Sequence, residues 1–274
     1  MGYKLLVISY SMDIAILFLV FISAWIPSFF WLWIYRLQDR EQPEPRSIIT
    51  KLFLAGVFVT IPALFLEVIF IPAELYQTKF LFGILTMVII TAVAEEFLKF
   101  YVTKIIVWKI KAFDQVIDGV IYSISAATGF ALVENFFYFL PFVFSSQAFS
   151  KFVLALPFQE IQGDFWLAFS LVFLSRFLFT TLMHTLASGV MGLYLGKAKF
   201  DSKNSSKLIA KGLLWAVAFH ALFNFFALTN QVYSTFFITI IFACYFFPFI
   251  RKKDNLKVRP LRNDALVECA ARQD

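Results

Sequence analysis

The chain is poor in charge. Charged residues make up 15% of its 274, against 61% hydrophobic ones, and its mean hydropathy is +0.79. Soluble domains carry roughly a quarter of their residues as charges, so that class is excluded and a polytopic membrane protein is expected. Cysteine is also scarce: Cys244 and Cys269 form no CxxC or other ligand spacing, which leaves no thiolate metal motif and keeps the redox compartment open. A cleavable leader is not expected either, because the apolar run after Lys4 is interrupted by Asp13, continues to Tyr35 and has no small-residue cleavage site. An uncleaved first span is expected. MGYKLL lacks the Ser or Thr of a myristoylation signal, and Cys269 lies too far from the end for a prenylation box. No repeat, low-complexity tract or second domain interrupts the chain.

What is abundant is apolar sequence in lengths that suit a bilayer. Spans need about 20 predominantly apolar residues, and the pattern predicts seven, near 14–35, 49–70, 79–103, 116–140, 165–195, 208–229 and 232–250. The expected fold is an all-α polytopic transmembrane helix bundle, one membrane domain over residues 1–250 followed by a basic tail, 251–274. The aromatic run Phe29, Phe30, Trp31, Trp33 and Tyr35 suits an interfacial belt, and Pro27 suits a kink. The long connection at about 141–163 is too apolar for a solvated loop and reads as an amphipathic or re-entrant segment.

The net charge of +6 follows topology and gives no reason to expect nucleic acid. Basic residues gather in alternate connections: Arg36, Arg40, Arg46 and Lys51; Lys104, Lys109 and Lys111; Lys197, Lys199, Lys203, Lys207 and Lys211; then Arg251, Lys252 and Lys253. The positive-inside rule puts the N-terminus outside and the C-terminus in the cytoplasm. Compact loops favour a bacterial plasma membrane.

Against that background a few polar residues stand out, because an ionisable group at membrane depth costs roughly 2.5–3.5 kcal/mol and is seldom idle. The chain has two histidines, His184 and His220, and both lie in apolar runs. Glu95 and Glu96 precede Lys99 by four and three residues, so both carboxylates can reach its ammonium on a helix surface. One is neutralised and the other remains as a base or ligand. Gly119, Ser123, Ala126 and Ala127 form a small-residue stripe that lets helices approach and turns Glu134 into the bundle; Asp118 is expected at the interface. Arg176, Thr180, His184 and Ser188 recur every four residues as one polar flank. Asn224 lies one turn after His220 and could orient the imidazole or donate to an oxyanion.

Two His and one or two Glu match a catalytic zinc shell of three protein ligands and a water, with a further Glu as base. A Glu could equally activate water without metal while His and Asn stabilise the oxyanion. HExxH and a membrane GxGD are absent, and Leu186 stands where a GxSG motif needs its first Gly. An ion-coupled transporter and a noncatalytic sensor or scaffold are the competing classes; neither inverted repeats nor discontinuous helices favour the transporter.

Four segments in order, EEFLK from Glu95 to Lys99, GFALVEN from Gly129 to Asn135, Arg176 through Thr180 to His184, and HALFN from His220 to Asn224, resemble the PrsW family of intramembrane metalloproteases, distant relatives of the CAAX prenyl endopeptidases. The resemblance covers residues 85–228. It implies hydrolysis of a peptide bond in a membrane-anchored protein, an anti-sigma-factor-like regulator among the candidates, with Zn2+ as the candidate metal. It further implies that Glu95 activates water and Glu96 partners Lys99. His184 and His220, with Glu134, would bind the metal or stabilise the oxyanion. Asn224 would assist His220, and Asn135, Arg176 and Thr180 would support the site. Where the CAAX enzymes place a His after Phe in FxxxH, this chain has Phe130 and Glu134, which argues against a prenylated substrate.

Overall fold

In hydrocarbon every backbone donor and acceptor must be satisfied internally, and apolar runs without strand-like alternation do this as helices. The computed structural model describes residues 2–38, 42–72, 75, 80–143, 165–229 and 231–251. The tail from 252 and most of the 141–163 connection lie outside the described residues, so the expectations for them stand as such. The helices are α1 (Gly2–Arg36), α2 (Arg46–Phe70), α3 (Leu81–Val107), α4 (Val116–Phe139), α5 (Phe165–Ser175), α6 (Thr181–Phe200), α7 (Ser205–Leu228) and α8 (Val232–Arg251), and no strand occurs among the described residues. A 3-10 turn, Leu140–Phe142, extends α4, and a π turn, Arg176–Thr180, joins α5 to α6.

Six stretches are long and apolar enough to cross a membrane: Ile14–Arg36, Arg46–Phe70, Leu81–Val107, Val116–Phe142, Trp166–Phe200 and Ser205–Leu228. A shorter apolar helix, Val232–Pro248, follows. The architecture is the helical bundle that hydropathy predicts.

Burial ranks these helices sharply. The α4 stretch is 89% buried, whereas the other five lie between 28% and 39%, and α1, α2, α3 and α6 pack against it. Glycine makes this close packing feasible. A methyl at Gly119 would collide with the Gly192 and Gly196 backbone of α6, and one at Gly56 or Gly129 would collide at the α2–α4 crossing. Such backbone-to-backbone packing is the association mode available where lipid removes the hydrophobic drive, and it is what the small-residue stripe anticipates.

Two polar positions differ from expectation. Asp118, expected as an ordinary interfacial residue, is fully buried within the bundle; its Oδ2 accepts the backbone N–H groups of Asp114 and Gln115 at 2.9 and 2.6 Å, and so caps the start of α4. Beside it, the Tyr122 hydroxyl donates to Glu44. Tyr35, placed in the interfacial belt by its neighbours, is also fully buried. Its ring stacks on Phe247 at 5.1 Å, and its hydroxyl lies 3.2 Å from that of Thr185. Phe29 and Trp33 of the same run are exposed.

Candidate active site

Four helices converge on one buried cluster. From α3 come Glu95, Glu96 and Lys99, which share a face because they are separated by one helical turn. From α4 come Glu134 and Asn135, from the π turn Arg176, from α6 His184 and Ser188, and from α7 His220. Glu95, Glu96, Lys99, His184 and His220 are each at most 5% exposed, so their polar atoms must find partners within the protein.

The two imidazoles lie edge to face, with ring centroids 5.1 Å apart and planes at 90°. Each gives one nitrogen to a carboxylate on the outside of the cluster. His220 Nδ1 is 2.8 Å from Glu96 Oε1, and His184 Nε2 is 2.5 Å from Glu134 Oε2. Their other nitrogens face Glu95, whose Oε2 lies 3.8 Å from His184 Nδ1 and 3.9 Å from His220 Nε2.

Outer contacts fix both backing carboxylates. Glu96 receives Lys99 Nζ at 2.6 Å on Oε1 and the Ser188 hydroxyl at 3.0 Å on Oε2. Glu134 forms an ion pair with Arg176, Nη2 to Oε2, at 3.0 Å. Arg176 Nε donates to Asn135 Oδ1 at 2.7 Å, and Asn135 Nδ2 donates to Thr181 Oγ1 at 3.1 Å. Each cation also covers an aromatic face: Lys99 lies 4.6 Å from the Phe130 ring centre and Arg176 4.1 Å from that of Tyr138, contacts that attract through the ring quadrupole.

Glu95 is the less committed of the α3 pair. Its Oε2 has Lys99 Nζ at 3.4 Å, and its Oε1 has no hydrogen-bond partner among the described residues. Glu95, His184 and His220 offer one ligand atom each within 4.8 Å of one another. Carboxylates on the outer nitrogens hold the hydrogens there and turn the lone pairs of His184 Nδ1 and His220 Nε2 inward, which is the support that metal-binding imidazoles receive. The residues therefore fit a divalent cation held by two nitrogens and one oxygen.

The cluster rearranges the expected roles. Glu134 faces the outer nitrogen of His184, and the carboxylate that lies with the two inner nitrogens in a set able to hold a metal is that of Glu95. This follows from the crossing of α4 and α6, which brings Glu134 to the ring edge away from His220. Glu96 does partner Lys99, and it also holds His220. Asn224 is half-buried, and no hydrogen bond joins it to His220; Glu96 occupies the nitrogen that an orienting Asn would need. Thr180 likewise has no side-chain hydrogen bond among the described residues. The π turn adds a residue to the helical repeat, so Thr181, fully buried, takes the place that i, i+4 spacing gives to Thr180. The widened turn also leaves the Phe177 carbonyl free to accept Trp31 Nε1 at 2.7 Å.

One acidic neighbour escapes the motif reading. Glu67 of α2 interacts electrostatically with Glu134, Lys99 and Glu95. It lies one turn beyond the fully buried Ala63, on the α2 face that packs inward. Its signal in the sequence is the same as that of Glu134, a lone acid inside an apolar run.

The family model for the PrsW family intramembrane metalloprotease matches residues 44–250. A Protease PrsW of Geobacillus kaustophilus is 25% identical over 197 residues, covering 72% of this chain and 74% of that protein. Those of Bacillus subtilis and Clostridioides difficile are 25% and 26% identical, covering 73% and 76% of this chain and 79% and 78% of their own. No solved structure matches. The matched stretch takes in the whole cluster, from Glu67 on α2 to His220 on α7, and the chain belongs to the PrsW family of intramembrane metalloproteases.

Proposed function

We propose that the chain is an endopeptidase of the bacterial cell membrane that cuts a membrane-anchored protein, an anti-sigma-factor-like regulator being the class the family resemblance implies. In this reading Glu95, His184 and His220 are the reactive set. The observation that carries it is the placement of Glu95 between two imidazoles whose outer nitrogens are each held by a different carboxylate.

A divalent cation, zinc by the chemistry of two nitrogens and one oxygen, would be held by these three residues and would supply Lewis-acid polarisation of the scissile carbonyl and acidify water. The protein's own part is positional and protonic. Glu96 and Glu134 keep the rings turned, with their lone pairs inward. Glu95 Oε1, with no hydrogen-bond partner among the described residues, takes a proton from the attacking water and returns it to the departing amine. Helices α3, α4, α6 and α7 exclude bulk water, which strengthens every charge interaction around the bond being cut. Alternating basic connections support an outward N-terminus and a cytoplasmic C-terminus.

Glu95→Gln tests the assignment. Cleavage of a membrane-anchored reporter co-expressed with the chain should fall by about a hundredfold or more, with helicity and membrane content unchanged. Full cleavage by Glu95→Gln would remove Glu95 from the chemistry. A noncatalytic scaffold would tolerate this change, so the same experiment separates it from the protease.

A further inference from the structure

Lys99 does more than neutralise Glu96. Its Nζ lies 2.6 Å from Glu96 Oε1, 3.1 Å from His184 Nδ1 and 3.4 Å from Glu95 Oε2. The last two atoms face the interior of the cluster and are the ones His184 and Glu95 would offer to a metal. His184 Nδ1 has a single lone pair. With Nε2 committed to Glu134, that lone pair either accepts a hydrogen from Lys99 or binds a cation; it cannot do both.

We propose that Lys99 is an internal competitor for the metal: its ammonium satisfies His184 Nδ1 and Glu95, and a divalent cation must displace it from both, leaving it on Glu96. This inference rests on the metal reading given above. Lys99 is suited to such an exchange. Its four-carbon stem lets a compact charge move while Glu96 retains it, and the Phe130 face lies beside it. Arg176, the other cation of the cluster, contacts Glu134 and Asn135 and neither of the atoms Lys99 holds. Lys99 thus lowers metal affinity while sparing His184 and Glu95 an unpaired burial when no metal is bound.

Zinc titration by calorimetry of the full chain in detergent provides the test. Removing one hydrogen bond to a charged donor should tighten zinc binding by roughly tenfold to a hundredfold in Lys99→Met. Arg176→Met, which removes the same charge without freeing a ligand atom, should give no such gain. Equal affinity of the parent and Lys99→Met, or an equal gain in Arg176→Met, overturns the competitor role. Should Lys99→Met fail to fold because Glu96 loses its cation, the double variant Lys99→Met, Glu96→Gln keeps the parent's net charge, and it should bind zinc more tightly than Glu96→Gln alone. A chain carrying both His184→Ala and His220→Ala separates the two readings. If it binds zinc as the parent does, the metal site itself is wrong; if it loses zinc while Lys99→Met matches the parent, only the competition fails.

Discussion

His220 and His184 are held by the same sequence of contacts. His220 leans on Glu96, Glu96 on Lys99 and Lys99 on the face of Phe130; His184 leans on Glu134, Glu134 on Arg176 and Arg176 on the face of Tyr138. The two sides differ in depth and in reach. The Glu96 side chain is 1% exposed and that of Glu134 20%. Lys99 extends across the cluster to His184 and Glu95, whereas Arg176 stays on its own side. One side is a sealed anchor that also controls the interior, and the other is an adjustable support nearer the edge of the bundle.

The largest effect should come from removing either ring. His184→Ala and His220→Ala should each lose cleavage by about a hundredfold or more and lose bound metal, measured as zinc per purified chain by elemental analysis. Equal loss from both would show that the rings act as one unit despite their unequal supports. Retention of metal in either single variant would break the pairing.

A smaller effect should expose the difference between the sides. Glu96→Gln and Glu134→Gln both keep an oxygen for the imidazole, and such supporting residues typically contribute about 10- to 100-fold in metal affinity or activity. Glu96→Gln should also destabilise the fold, by about 3 kcal/mol, because it strips the nearest anion from a fully buried Lys99. Glu134→Gln leaves Arg176 with Asn135 and the face of Tyr138, so its thermal unfolding in detergent should shift less. Equal shifts would mean that depth does not distinguish the two supports.

How much of this could be read beforehand depends on the kind of signal. Bundle architecture follows from hydropathy and the close approach of helices to α4 from the Gly119 stripe, since both are local properties of the chain. The Glu95, Glu96 and Lys99 group was legible because one helical turn fixes their contacts. Glu134 was legible as an inward residue, but its role was not, because the angle at which α4 crosses α6 decides which edge of His184 it meets. The same limit hid Glu67, whose neighbours come from other helices. Tyr35 misled for the opposite reason: its flanks look interfacial, while the Phe247 and Thr185 contacts that bury it come from elsewhere in the chain.

The subtlest failure is a shift of one residue, and it yields the smallest prediction. An unbroken α-helix from Arg176 would align Thr180 with His184 and leave Thr181 about 100° around the axis. The π turn changes that phase, and Thr181 becomes the acceptor for Asn135, which in turn holds Arg176 against Glu134. Thr181→Val should therefore cost about 1 kcal/mol of stability, the usual net value of one buried hydrogen bond. It should also loosen the Glu134 support of His184, without touching the Glu96 side. Thr180→Val, with no such bond to lose, should be close to neutral by the same thermal measurement. The reverse ranking would mean that the helix runs through residues 176–180 in α register, and that the polar flank suggested by four-residue spacing describes the site better than the π turn does.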